Sequence, residues 1–211
     1  MSSTDISRRV ASALLEIRAI KLSPQDPFTW SSGWKSPIYC DNRLSLSYPE
    51  IRTLVKKGLS DGIQNRYPEV EAIAGVATAG IPQGALVADV LDLPFIYVRS
   101  KPKGHGMENM IEGKAETGQK VVVIEDLIST GGSSLKAIDA LRATGIDVLG
   151  LGAIFTYGFQ TASDNFKEAK VDYFTLSNYE VMLEEAIDSK YISADQAEAL
   201  KEWNKDPAAW S

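Results

Sequence analysis

The densest concentration of chemically useful side chains in the 211-residue sequence is the run Val121-Val-Val-Ile-Glu-Asp-Leu-Ile-Ser-Thr-Gly-Gly-Ser-Ser134. Its apolar start reads as a buried strand that ends at two acids, Glu125 and Asp126, and a Ser/Thr/Gly turn then opens a helix. A helix N-terminus leaves N–H groups without partners and presents the positive end of the helix dipole, and glycine lets backbone approach a ligand closely. The turn Ser129-Thr130-Gly131-Gly132-Ser133 is therefore suited to hold one phosphate group through backbone N–H and hydroxyl donors. Glu125 and Asp126 would repel that phosphate if they faced it. They suit sugar hydroxyls, which donate to carboxylates, or a Mg²⁺ ion. A ribose 5-phosphate satisfies both halves at once. A plain capped helix after a buried strand explains the turn, but not the complete strand-acid-acid-turn string.

A second group of candidates is Arg99, Lys101, Lys103 and His105, at the start of a polar segment (100–120) punctuated by Gly104, Gly106, Gly113 and Gly118. One cation there would be a solvated surface charge. Several on a glycine-flanked loop of an acidic protein read as a lid that carries positive charge to an anionic substrate. Other chemistries fit less well. Gly113-Lys114 is followed by Ala115 and lacks the upstream glycine of a P-loop, and Gly150-Leu-Gly152 lies inside a strand without the third glycine of a dinucleotide fingerprint. His105 is the single histidine and Cys40 the single cysteine, so neither zinc nor an internal disulfide is expected. Cys40 reads as a small buried apolar residue rather than a nucleophile.

The elements that must position these residues alternate. A helix over Tyr48–Tyr67 leads to a strand at Ala72–Val76. A helix from Gly80 to Leu91 precedes a strand at Pro94–Val98. After the Val121–Ile124 strand comes a helix from Ser133 to Thr144 closed by Gly145, and Val148–Phe155 and Val171–Leu176 supply two more strands. This rhythm predicts an α/β, Rossmann-like parallel sheet flanked by helices, with ligands beyond the carboxyl ends of the strands. Ile6, Val10, Leu14 and Ile17 recur at helical spacing, and Glu16 and Arg18 interrupt the run too early for a signal peptide. Residues 22–47, with Pro24, Pro27, Gly33 and Pro37 among aromatics, form a candidate cap or hood. Residues 178–211 read as two helices, the second opened by Ser193 with Gln196 in capping-box spacing. One domain over 1–211 is expected. The net charge of −6 argues against a nucleic-acid partner, no apolar run reaches a membrane span, and a cytoplasmic protein is expected.

The 121–134 string resembles the phosphoribosyl pyrophosphate (PRPP) signature of the type I phosphoribosyltransferases. Pro27-Phe-Thr-Trp-Ser-Ser-Gly-Trp-Lys-Ser-Pro-Ile-Tyr-Cys-Asp-Asn-Arg43 is similar to the base-covering segment of the orotate phosphoribosyltransferase family. Arg99-Ser-Lys-Pro-Lys-Gly-His-Gly-Met107, continuing to Gly113, is similar to that family's catalytic loop, and Ala77-Thr-Ala-Gly-Ile-Pro82 to its pyrophosphate loop. The resemblance implies transfer of the phosphoribosyl group of PRPP to orotate, in pyrimidine biosynthesis. It assigns PRPP to Arg99, Lys103, His105, Glu125, Asp126, Leu127, Ile128, Ser129, Thr130, Gly131, Gly132 and Ser133. Catalysis falls to Lys103, His105 and Arg99, and orotate to Ser129, Lys35, Tyr39 and Cys40. Pyrophosphate falls to Thr78, Ala79 and Gly80. Mg²⁺ is expected to arrive with PRPP, with Asp126 a candidate contact, and a homodimer is expected to share its lids between chains. Many relatives have lysine where Ser31 and Ser100 stand, and some have a base-binding arginine where this chain has Tyr157-Gly-Phe159. Transfer to another base, or a PRPP-sensing regulator on the same fold, are the alternatives.

Overall fold

A computed structural model describes residues 3–29, 35–101 and 110–207. Its centre is a six-stranded sheet built from β5 (Ala72–Val76), β6 (Phe95–Val98), β7 (Ile111–Glu112), β8 (Lys120–Ile128), β9 (Asp147–Thr156) and β10 (Tyr173–Asn178). The order is β10-β9-β8-β5-β6-β7, and every pairing is parallel except the antiparallel β6–β7 edge. The expected parallel sheet is present, and β7 is an addition that the sequence pattern did not disclose.

Along β8, Val122 and Ile124 join one apolar cluster while Val121 and Val123 join another. Successive side chains point to opposite faces, so a strand that is apolar at every position needs cover on both sides. The first face is covered by α1 (Ser3–Glu16), α2 (Pro49–Arg66), α6 (Tyr179–Asp188) and α7 (Ala194–Lys205), which contribute Leu14, Leu59, Met182 and Trp203. The second is covered by α4 (Gly132–Ala143) and α5 (Gln160–Glu168), which contribute Ile138, Leu141 and Phe166. α3 (Gly80–Leu91) follows β5 and sends Val87 and Ala88 to the first cluster. The Gly150–Gly152 pair is packing, as its place in a strand implied: a Cβ on Gly150 would strike the Tyr67 hydroxyl, which donates to Asp172 Oδ2 at 2.7 Å.

The two expected C-terminal helices are α6 and α7, and Ser193 and Gln196 close a reciprocal capping box at the start of α7. In the cap segment, β1 (Ile20–Leu22) pairs with β4 (Ile38–Cys40), and β2 (Phe28–Thr29) with β3 (Lys35–Ser36). A 3₁₀ helix, Asn42–Ser47, then leads into α2. Ladders of two and three residues bury little, so this region depends on side-chain ties to the sheet.

Candidate active site

β8 corrects one expectation at once. It does not end at the acids but stays paired with β9 through Glu125↔Ala153, Leu127↔Phe155 and Ile128↔Thr156. Glu125 and Asp126 therefore belong to the rigid sheet. The strand end is pinned, because the Ile128 carbonyl accepts from Tyr157 N at 3.1 Å and from Thr156 Oγ1 at 3.2 Å. The Leu127 and Ile128 side chains pack into the core, which leaves their backbone for any ligand.

The turn that follows needs glycine. Gly131 sits at φ +82°, and a Cβ there would come within 2.7 Å of the Phe166 ring. Asn165 Nδ2 donates to the Thr130 carbonyl at 2.9 Å and fixes the turn against α5. No side chain caps the N-terminus of α4, so its first-turn N–H groups are left for an anion. Gly80 plays a matching role beside β5, where a Cβ would collide with the Ile124 carbonyl oxygen. That close approach sets the N-terminus of α3, also without a side-chain cap, beside Ile124 and Glu125 of β8. Two helix N-termini thus flank adjacent strands, one after Thr78-Ala79-Gly80 and one after Ser129-Thr130-Gly131. The Ala77–Thr78 peptide is cis.

Between them lies an electrostatic oddity. Glu125 is only 5% exposed; Oε1 accepts from Asp126 N at 3.1 Å, and Oε2 from Ser133 Oγ at 3.2 Å and Ser134 Oγ at 3.4 Å. Burial, then the Asp126 charge beside it, pushes the Glu125 carboxyl up to about 8. Burial also raises Asp126, against the lowering effect of its hydrogen bond with Glu125. The pair therefore holds a proton at neutral pH when no ligand is present. The Ser133 hydroxyl, expected on a phosphate, is engaged by Glu125, because a buried carboxyl recruits the nearest donors.

The other candidates are spread around this centre. Arg99 follows β6; its N donates to the Met110 carbonyl at 2.8 Å and its Nη1 to Glu112 Oε1 at 3.0 Å, across the β6–β7 hairpin. Lys103, His105 and Ser31 lie outside the described residues. Lys35 is exposed and donates to Thr29 Oγ1 at 3.0 Å, and Tyr39, 40% exposed, packs its ring 5.8 Å from Phe28. Cys40 is half-buried rather than fully buried, and its thiol donates to Asn42 Oδ1 at 3.3 Å. Burial, then Asp126 and Asp41, push that thiol well up, so it reacts slowly and is a poor nucleophile near neutral pH. At the departure from the family pattern, Tyr157 and Phe159 stack at 5.3 Å and meet Trp203 of α7 edge-on at 5.9 and 5.7 Å.

Asn42 escaped the sequence reading. Fully buried, it donates from Nδ2 to the Asp126 carbonyl at 2.8 Å. Ser134 and Asn165 were missed as well. The available signal was position: Asn42 lies within the segment that resembles a base cover, and Ser134 closes the string read as a phosphate site. No group of three or more potential metal ligands occurs among the described residues. The hard oxygens of Asp126 do fit a Mg²⁺ ion that brings most of its ligands with a polyphosphate.

Residues 45–189 match the family described as Phosphoribosyl transferase domain. The chain is 59% identical over 204 residues to an orotate phosphoribosyltransferase of Cytophaga hutchinsonii, covering 97% of this chain and 98% of that protein. It is 53% identical over 205 residues to one from Listeria innocua, with 97% and 98% covered. Among solved structures, orotate phosphoribosyltransferase from Aeropyrum pernix aligns with a TM-score of 0.76 at 28% identity, covering 87% of this chain and 99% of that one. Leishmania donovani UMP synthase aligns with a TM-score of 0.79 at 27% identity, covering 94% of this chain but 42% of the larger protein.

Proposed function

The chain belongs to the phosphoribosyl transferase family, and from that premise we propose that it joins orotate to the phosphoribosyl group of PRPP, releasing pyrophosphate and forming orotidine 5′-phosphate. The observation that carries this reading is the C-terminal half of β8, where two sheet-borne acids stand between two helix N-termini. The uncapped start of α4 suits the 5-phosphate, Glu125 and Asp126 suit the ribose hydroxyls, and the start of α3 suits the pyrophosphate. One bisubstituted ribose spans all three.

The reaction is a displacement at the anomeric carbon through a cationic, oxocarbenium-like state. The two carboxyl groups on the sheet are suited to line that ring, and the negative charge that remains on the pair would favour the cation. Bound Mg²⁺, brought in with PRPP and facing Asp126, would supply charge neutralisation on the departing pyrophosphate. By resemblance, Arg99, Lys103 and His105 meet the same charge from the loop, and Lys35, Tyr39, Cys40 and Ser129 surround orotate. Homodimerisation with loops shared between sites, and a cytoplasmic location, belong to the same reading. No helix among the described residues is long and apolar enough to cross a membrane.

The test is a panel of orotate, uracil, hypoxanthine, guanine and adenine, each with PRPP and Mg²⁺. Orotate should be consumed far faster than any neutral base, with one pyrophosphate released per orotate. Faster turnover of uracil or hypoxanthine would leave the fold standing and overturn the base assignment.

A further inference from the structure

The cap touches the sheet at a buried polar seam whose centre is Asn42. Its Nδ2 donates to the Asp126 carbonyl at 2.8 Å across 84 positions of sequence, and its Oδ1 accepts from the Cys40 thiol at 3.3 Å. Its own carbonyl accepts from Ser45 Oγ at 2.6 Å, and that hydroxyl accepts from Gln83 Nε2 of α3 at 3.2 Å. Asn42, Ser45 and Gln83 are all at most 1% exposed. A hydrogen-bonded path therefore runs from the helix behind the pyrophosphate loop, through the 3₁₀ turn, to the peptide of one ribose acid and to the base-covering strand.

We propose that Asn42 is a positioning residue for both substrates, holding the base-covering segment and the ribose-facing strand β8 in one register so that occupancy of either side is felt by the other. The inference rests on the reading of the site as one for PRPP and orotate. Its physical basis is the geometry of the amide. A planar group that donates at one end and accepts at the other fixes the distance between Asp126 and Cys40, and burial removes water as an alternative partner. An apolar side chain of similar size fills the space and cannot transmit that distance. Asn42 touches neither reacting group, so its effect must pass through Asp126 and Cys40.

Cys40 is the chain's only cysteine, so its alkylation rate reports on the cap at a single place. In the wild-type protein, saturating PRPP with Mg²⁺ and no base should slow Cys40 labelling by iodoacetamide. In Asn42→Leu that protection should vanish while calorimetry still detects PRPP binding. In the same variant KM should rise for PRPP and for orotate together, each roughly 2- to 10-fold, the scale of one net hydrogen bond, with a smaller change in kcat. Asn42→Ser, which leaves room for a water, serves as the second variant if the leucine form does not fold, and should lose the protection in the same way. A merely structural asparagine would lower the melting temperature and leave the protection intact; that result overturns the proposal, as does a wild-type Cys40 indifferent to PRPP. A wild-type protein protected by PRPP but inert towards orotate would sink the base assignment and leave the link standing.

Discussion

The Ser129–Ser133 turn and the cap, the two halves of the proposed site, are held at the edge of the sheet by opposite means. The turn is made of backbone: an extended strand locked to β9, a glycine at positive φ, and helix N–H groups with no side-chain cap. The cap is made of side chains: ladders of two and three residues tied down by Asn42, Ser45, Gln83 and the Cys40 thiol. A backbone site tolerates little change in shape and much change in surrounding side chains. A side-chain site is the reverse. On the proposed reading, the common part of PRPP meets rigid backbone, and the base meets the region that substitution can reshape.

The largest expected effect should break the rigid half. Gly131→Val places a β-branched side chain at φ +82° and against the Phe166 ring, so the turn must shift. A displacement near 1 Å at a reacting group costs on the order of 10²-fold in rate. PRPP KM and kcat/KM should both deteriorate on that scale in steady-state assays, and a variant with normal PRPP kinetics would show that the turn does not hold the phosphate.

An intermediate effect sharpens the electrostatic side of the contrast. With its carboxyl pushed from 4.5 to about 8, Glu125 keeps a proton in the folded protein where the unfolded chain has released it. Its favourable contribution is complete below about 4.5 and is lost as pH rises through about 8. The ligand-free wild type should lose stability relative to Glu125→Gln between pH 5 and pH 8, by a few kcal/mol at order of magnitude. The same substitution should weaken PRPP binding. Parallel melting curves for the two proteins across that range would refute the buried, protonated acid.

The smallest effect belongs to the seam. Gln83 Nε2 bonds Ser45, but its Oε1 is buried without a partner among the described residues. Gln83→Met removes one hydrogen bond and one unmatched acceptor together, and these oppose each other. Urea denaturation should show a change within about 1 kcal/mol. A loss above about 3 kcal/mol would mean that the acceptor has a strong partner.

The same division explains what could be read from the sequence. Ala72–Val76 and Val121–Ile124 are apolar at every position and announce buried parallel strands, and the string from Glu125 to Ser133 announces its turn by composition. The rest of β8 was hidden because two acids interrupt the apolar run, although the ladder with β9 continues beneath them. α5 was hidden because only Ala162 and Phe166 are buried along it, too few to set a period. Asn42 was invisible for a deeper reason. Its role lies in one contact made across 84 positions, and a single buried amide leaves no repeat in the sequence.

The aromatic group of Tyr157, Phe159, Tyr179 and Trp203 limits what can replace its members. These rings are at most 7% exposed and pack at centroid separations of 5.3 to 6.4 Å. A guanidinium introduced at position 157 would enter a desolvated nest of rings, at a cost of several kcal/mol unless a partner charge came with it. Such a substitution would therefore be tolerated only with a compensating change in α7, so the helix farthest along the described chain limits which side chains the end of β9 can carry.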